Sequence, residues 1–413
     1  MHEGAIPPPA SLRVIIRDPA LRVIMLVVFV IMLGFGIVAP ILPLFARSFG
    51  VSYGAAGLLI SAFAFTRLAF DLFAGPVVDR WGEQRSSIAA LLFVAGSSAL
   101  TAVAPNYPLA VIFRAAGGAG SALLFAALYS YLLKIVPAER MARASGLFYG
   151  AFNVGIIAGG PLGGAIAGQF GLRAPLYFYA GVLVVSAVVF RRFVPDPPRA
   201  APAELRETTS RERFISVLKN QAILRVAILN FAYLWMIVAV YDTLMPLFAR
   251  YRLGMSPETI GAVLAVALVT EMVVMYPAGA LADRLGRKPV AISTFAWLVV
   301  IISLIGFSPN RAIFFLVMAA VGTATGSSAV IPTAMLGDVA AEGSSGTAVG
   351  VFRFAGDLGM TIGPLAVGLT TNALGFKAAF MIAVLPCFLA LLDLLRMRET
   401  LKREWTDGHP EVP

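Results

Sequence analysis

Seven ionisable residues stand inside long apolar runs, where they could do chemistry: Arg67, Asp71, Arg114, Asp242, Glu271, Arg353 and Asp357. An ionisable side chain at bilayer depth costs about 3 kcal/mol or more unless it is paired or solvated, so each needs a reason. Arg67 and Asp71 are four residues apart and share one helical face, and Arg353 and Asp357 repeat that spacing and order. If the two helices are antiparallel neighbours, Asp71 falls beside Arg353 and Arg67 beside Asp357. At about 1.5 Å per residue, the members of each pairing reach matching depths, about 12 Å and about 19 Å from the loops that end their helices. Two arrangements satisfy these charges: a double ion pair between the helices, or one pair within each helix.

Glu271 has no basic residue at equal depth in its own neighbourhood. A carboxyl so placed is a candidate proton carrier near neutral pH, with Asp242, Asp357 and Asp71 behind it. The alternative is a neutral glutamic acid hydrogen-bonded to an adjacent helix. Arg114 reads either as an anchor for a carbonyl of the first helix or as a group that tunes nearby carboxyls. Phe35, Phe63, Tyr149, Phe152, Asn153, Tyr233, Trp235 and Tyr241 offer an aromatic, mildly polar wall for a substrate cavity.

The elements that must position these residues are membrane helices. Of 413 residues, 59% are hydrophobic and only 13% charged, and the mean hydropathy is +0.86. A soluble domain of this size would carry far more charge. With about 20 apolar residues needed per crossing, spans are predicted over 22–46, 54–78, 86–104, 108–133, 143–170, 174–193, 223–249, 258–282, 289–308, 312–336, 344–372 and 376–395. The fold class expected is an all-α polytopic membrane protein of twelve transmembrane helices, in two six-helix halves related by a pseudo-two-fold axis. The halves are 22–193 and 223–397, flanked by tails 1–21 and 398–413 and joined by the proline-rich linker 194–222. Within the linker, Phe214 to Leu218 could form a short amphipathic surface helix.

Charge sets the orientation. Outer loops hold only Arg47, Arg173, Arg250, Arg252, Arg311 and Lys377, while most of the 32 basic residues fall on the other side. Both termini are therefore expected in the cytoplasm of a plasma (inner) membrane. The net charge of +10 does not point to nucleic acid, because the basic residues sit in short loops and not on one face. The only cysteine, Cys387, and the only histidines, His2 and His409, are far apart in sequence, so no Cys/His metal centre is expected. No phosphate-cradling G-x-x-x-x-G-K-S/T loop occurs, which argues against ATP as the direct energy source. Neither an enzyme nor a cofactor is implied; a proton gradient would supply the energy. The expected partners are the lipid bilayer, a small-molecule substrate and protons, with the protein acting as a monomer.

The chain repeats internally. LPLFARSFGVS at 42–52 matches MPLFARYRLGMS at 245–256, and GPVVDRWGEQR at 75–85 matches GALADRLGRKP at 279–289 with an offset of 204. Duplicated six-helix halves place a binding site at their interface near the midplane.

On these motifs the chain resembles the major facilitator superfamily, and among its members the twelve-span drug:proton antiporters. Gly279, Asp283, Arg284, Gly286 and Arg287 form a near-complete copy of that superfamily's inner-loop signature. The first copy keeps Gly75, Asp79, Arg80 and Gly82 but has Glu83 and Gln84 where basic residues are usual. The resemblance implies that Asp79 faces the start of helix 11 and Asp283 the start of helix 5, closing the inner side. Helix 5 carries Gly155, Gly159, Gly160, Pro161, Gly163 and Gly164, similar to the antiporter signature G-x-x-x-G-P-x-x-G-G. Helix 4 begins VIFRAAGGAG, where Arg114, Gly118 and Gly120 resemble R-x-x-Q-G-x-G, with Gly117 in place of the glutamine. The function implied is a proton-coupled exporter of small amphipathic or cationic compounds working by alternating access. A sugar, metabolite or lipid carrier on the same fold is the alternative. A transport-dead sensor would be expected to carry an effector domain or eroded motifs, and neither is present.

Overall fold

The computed structural model describes residues 19–136, 138–194, 217–340 and 345–401, so most of the two tails and of the linker, with the expected surface helix up to Ser216, lie outside the described residues. Eleven continuous helical runs are long and apolar enough to cross a bilayer. They are α1 (Leu21–Arg47), α2 (Tyr53–Trp81), α3 (Glu83–Val103), α4 (Tyr107–Ile135), α5 (Ala138–Phe170), α6 (Ala174–Phe193), α7 (Gln221–Tyr251), α8 (Pro257–Leu285), α9 (Arg287–Ile305), α10 (Arg311–Val339) and a last run, Ser345–Arg396. At about 1.5 Å per residue, 52 residues are far too long for one crossing of a core about 30 Å thick. The run folds back at Gly375, whose φ of 81° is open to glycine and strained for other residues. It therefore supplies α11 (345–374) and α12 (376–396), giving twelve spans. Phe376 and Phe380 meet Phe248 edge to face, while Lys288 Nζ donates to the Leu395 carbonyl at 3.2 Å. Both contacts hold α12 antiparallel to α11.

The two halves use the same local devices 204 residues apart. Ser52 and Ser256 cap α2 and α8, and Asn106 and Asn310 cap α4 and α10; each side-chain oxygen accepts a backbone N–H of the first turn. Thr66 Oγ1 donates to the Ala115 carbonyl, and Thr270 Oγ1 to the Ala319 carbonyl. Gly118 lies against the Phe63 carbonyl, and Gly322 against the Ala267 carbonyl, so closely that a Cβ at either would collide with it. Close approach through small residues is how membrane helices pack without a hydrophobic drive between them. The first helix of each half breaks near its end: α1 at a 3-10 turn over Ala39–Ile41, and α7 at a π-turn over Val240–Leu244.

Across the interface the packing is tight at one end. Gly57 of α2 abuts the Pro364 carbonyl of α11, Ser61 Oγ accepts the Leu365 N–H at 3.2 Å, and Tyr53 N–H donates to Asn372 Oδ1 at 2.9 Å. On the other diagonal, Gly164 and Gly160 of α5 meet Pro257, Gly261 and Leu264 of α8. Toward the end that carries the basic loops, no atom of another element among the described residues lies within 4 Å of where a Cβ would stand on Gly75, Gly150 or Gly350. Among the described residues, the close contacts between the halves gather toward the sparsely charged end.

Candidate functional site

A pocket lies between the halves, and both contribute to it. Phe35 and Leu42 of α1, Phe63 and Arg67 of α2, and Arg114 of α4 face Asp242 of α7 and Asp357 of α11. It encloses about 50 Å³ in this conformation, room for a few waters, so a larger ligand enters as the halves part. Arg114 is 2% exposed. Among the described residues it makes no hydrogen bond to α1, contrary to the anchor reading; its guanidinium lies 4.2 Å from the Phe63 ring centre and interacts electrostatically with Tyr179 and Asp242. Asp242 sits in the π-turn of α7. The extra residue of a π-turn re-aims the side chains beyond it and recurs at functional positions.

Glu271 has found partners of another kind than charge. Thr325 Oγ1 donates to its Oε2 at 2.8 Å, Tyr241 O–H is within hydrogen-bonding reach, and Tyr241 also meets Thr325 Oγ1 at 3.0 Å. Tyr233 O–H donates to the Thr325 carbonyl at 3.3 Å. Gly326 brings α10 onto the backbone of Glu271 itself. Thr325 is fully buried, and its hydroxyl also reaches the Val321 and Gly322 carbonyls at 3.1 and 3.2 Å. The hydroxyl can therefore donate to an ionised Glu271 or turn to α10 and accept from a protonated one. Thr325 was not singled out from the sequence; the only signal was its polarity inside an apolar run, between Gly322 and Gly326 of α10.

The four residues of α2 and α11 do come together, but not as a double ion pair. None of Arg67, Asp71, Arg353 and Asp357 forms a salt bridge with another. Instead the carboxyls of Asp71 and Asp357 lie close enough across the interface to act on each other, and Arg67 and Arg353 also act electrostatically on Asp71. The cause is Phe125 of α4: the Arg353 guanidinium lies 4.2 Å, and that of Arg67 6.0 Å, from its ring centre. Cation–π attraction draws both arginines aside. Phe125 had no part in the sequence reading.

Of the aromatic wall, Phe35 and Phe63 line the pocket with ring centres 6.5 Å apart. Tyr233 and Tyr241 serve the Glu271 network behind it. Trp235 is buried against Phe231 beside Gly359 and Gly363, so it packs α7 on α11 without facing the pocket. Phe152 is half-buried and packs against the core, and the side chains of Tyr149 and Asn153 lie outside the described residues. The α5 motif has two faces. Gly155, Gly159 and Gly163 receive α1 at the carbonyls of Phe29, Leu33 and Ile37, while Gly160 and Gly164 receive α8. Gly118 and Gly120 of α4 likewise admit α2 and α3.

The starts of α11 and α5, which the loop aspartates are expected to face, lie largely outside the described residues. Asp79 and Arg80 are exposed, and Gly75 meets nothing. Asp283 and Arg284 are exposed too; Asp283 pairs with Arg287 at 2.5 Å, and Arg287 Nε reaches Asp338 Oδ2 of α10 at 3.2 Å. Gly279 has only Val330 nearby, and Gly286 turns α8 into α9 at a φ of 110°. In the first copy, at the same offset, Glu83 stands for Arg287 and Lys134 for Asp338. They form the same bridge with the signs exchanged, Lys134 Nζ to Glu83 Oε1 at 2.5 Å, with Ser130 Oγ donating at 2.9 Å. The departure from the signature is thus compensated by a residue 51 positions on, and Asp79 is left without the partner that Asp283 has.

Past α12 the chain returns to this loop. Glu399 accepts the Arg287 and Lys288 N–H groups at the start of α9, at 3.0 and 3.1 Å, and Thr400 Oγ1 donates to Asp338. Burial alone would push the Glu399 carboxyl up, but the backbone N–H groups of Leu401, Lys288, Arg287 and Thr400 outweigh it and hold it below the usual glutamate range.

Comparison with known proteins agrees with this arrangement. The family model described as Major Facilitator Superfamily matches residues 24–256 and 244–412. Multidrug resistance protein 2 of Bacillus subtilis is 27% identical over 270 residues, 63% of this chain and 66% of that protein. Quinolone resistance protein NorA of Staphylococcus aureus is 24% identical over 233 residues, 56% of this chain and 59% of that protein. These two matches thus span about three-fifths to two-thirds of the relatives' length. An uncharacterised MFS-type transporter of Methanocaldococcus jannaschii is 25% identical over 376 residues, 88% of this chain and 95% of that protein. Among solved structures, the nucleoside transporter NupG superposes with a TM-score of 0.75 at 12% identity, covering 91% of this chain and 99% of that one. A bacterial homologue of the human lysosomal transporter Spinster, inward-facing and occupied, gives 0.73 at 15%, covering 92% and 97%. With twelve spans in two repeated halves, a motif-bearing loop in each and a family model matching nearly its whole length, this chain is an integral membrane protein of the major facilitator superfamily.

Proposed function

We propose that this transporter is a proton-coupled exporter of small amphipathic compounds bearing a cationic group, working by alternating access in the plasma membrane with both termini in the cytoplasm. The observation that carries the reading is the Glu271–Thr325–Tyr241 network. A half-buried carboxyl at membrane depth whose hydroxyl partners suit both of its protonation states can take up and release a proton without a change of fold, as coupling requires. Asp242 and Asp357, in the adjoining pocket, offer the carboxylates a cationic substrate would meet. Proton occupancy at Glu271 and substrate at Asp242 are linked through α7, since Tyr241 belongs to the network and Asp242 to the pocket. The aspartate of each loop signature then closes the basic end when the other end opens. The drug-resistance relatives support export, as does the glycine-faced α5.

The test is purified protein in proteoliposomes with an imposed pH gradient and a panel of ethidium and radiolabelled sugars. Ethidium accumulation that vanishes when the gradient is dissipated is the expected result. Gradient-independent movement of ethidium, or selective movement of a sugar, would overturn the proposal.

A further inference from the structure

The pocket has a polarity of its own. Its guanidiniums, Arg67 and Arg114, both come from the N-terminal half, and its carboxylates, Asp242 and Asp357, both come from the C-terminal half. No salt bridge joins the two sets, and the Nε atoms of both arginines are buried without a hydrogen-bond partner. Arg114, almost completely buried, forms no salt bridge among the described residues; the face of Phe63 and the more distant Tyr179 and Asp242 are what compensate it. A desolvated charge left without a direct partner is costly, and guanidinium is built to take a carboxylate with two parallel N–H···O bonds. A purely cationic ligand would satisfy the two aspartates and leave the arginines as they are. A purely anionic one would do the converse. The pocket's two positive and two negative groups sum to zero, and Phe35 and Phe63 on its wall suit an aromatic body between the two ends.

We infer that the pocket between α1, α2, α4, α7 and α11 binds zwitterions: compact aromatic compounds with a carboxylate facing Arg67 and Arg114 and a cationic nitrogen facing Asp242 and Asp357. Such a ligand joins the two halves by charge where they do not join each other. It also gives the substrate a direct part in the conformational change, because drawing the halves together there strengthens both of its contacts at once. This deepens the exporter reading and rests on it for the location of the substrate site.

Two dyes on one scaffold test it. Rhodamine 110 carries a free carboxylate beside its cationic ring system, and rhodamine 123 is its methyl ester, with the negative charge removed. Binding to purified protein in detergent is read by fluorescence anisotropy, with protein-free micelles subtracted. The free acid should bind about tenfold tighter than the ester, the worth of one good charge-assisted contact. Arg67→Gln should erase that preference, and Asp357→Asn should weaken both dyes. Arg114→Gln should act like Arg67→Gln; if it fails to fold, as its burial allows, the half-buried Arg67 alone decides the matter. Equal or tighter binding of the ester, a preference that survives Arg67→Gln, or no binding of either dye would overturn the inference. Because the assay needs no proton gradient, its failure is separable from failure of the liposome test.

Discussion

The two six-helix halves agree in what packs and disagree in what is charged. Thr66 and Thr270, Gly118 and Gly322, and the capping residues Ser52 and Ser256 occupy the same places and make the same contacts 204 residues apart. At the same offset Arg67 becomes Glu271, Glu83 becomes Arg287 and Lys134 becomes Asp338. The Glu83–Lys134 bridge shows that a site can reverse its polarity and keep its geometry, since each member changes with its partner. Arg67 and Glu271 have no such compensation. One lies in the pocket against Phe125, and the other is held by hydroxyls. Where packing alone is at stake the repeat is kept; where it is broken without compensation, the half has taken on a task of its own.

This contrast can be broken from the packing side first. Gly118→Val and Gly322→Val each force a side chain into a neighbouring carbonyl, so both should lose about 3 kcal/mol or fail to fold, and to a similar degree, read as thermal midpoints in detergent. A large loss at one site and none at the other would contradict the shared-packing half of the comparison. Next in size is Lys134→Glu, which leaves the buried Glu83 facing a like charge and should cost about 1–3 kcal/mol. Adding Glu83→Lys to that variant should recover most of the loss, because the second half already works with the signs exchanged. The smallest effect is expected at Glu399, where Glu399→Gln should cost about 1 kcal/mol through the cap it provides to α9. Its folded-state pKa is depressed, so its stabilising contribution is present above the ordinary glutamate range. That contribution is lost as pH falls through the lowered value. Hydrogen exchange of residues 397–401 should stay slow at neutral pH and quicken only in strong acid; quickening already between pH 6 and 5 would show that the carboxylate is not what holds the segment.

Much of the fold was legible because the bilayer makes it so. Span length, loop charge and the repeat follow from transfer energetics that act residue by residue, and even Gly375 falls in the short gap between two predicted spans. The site was legible only as a set of charges. The matched spacing of α2 and α11 said which residues would share a level if the helices met, but not how they would pair, because Phe125 on a third helix competes for the arginines. Thr325, and the role of Tyr241 beside Glu271, were hidden for the same reason: a hydroxyl's value as a partner depends on helices distant in sequence. The Lys134 compensation could have been read earlier by carrying the 204 offset past the loop, where Glu83 and Lys134 face Arg287 and Asp338.

The claim that Glu271 carries the coupling is tested most directly by Glu271→Gln in proteoliposomes, with ethidium followed under two conditions. The amide keeps the size and a hydrogen bond to Thr325 but cannot exchange a proton. Downhill ethidium exchange should persist, while accumulation driven by the pH gradient should fall by about tenfold or more. Gradient-driven accumulation at the unsubstituted protein's level would contradict the account.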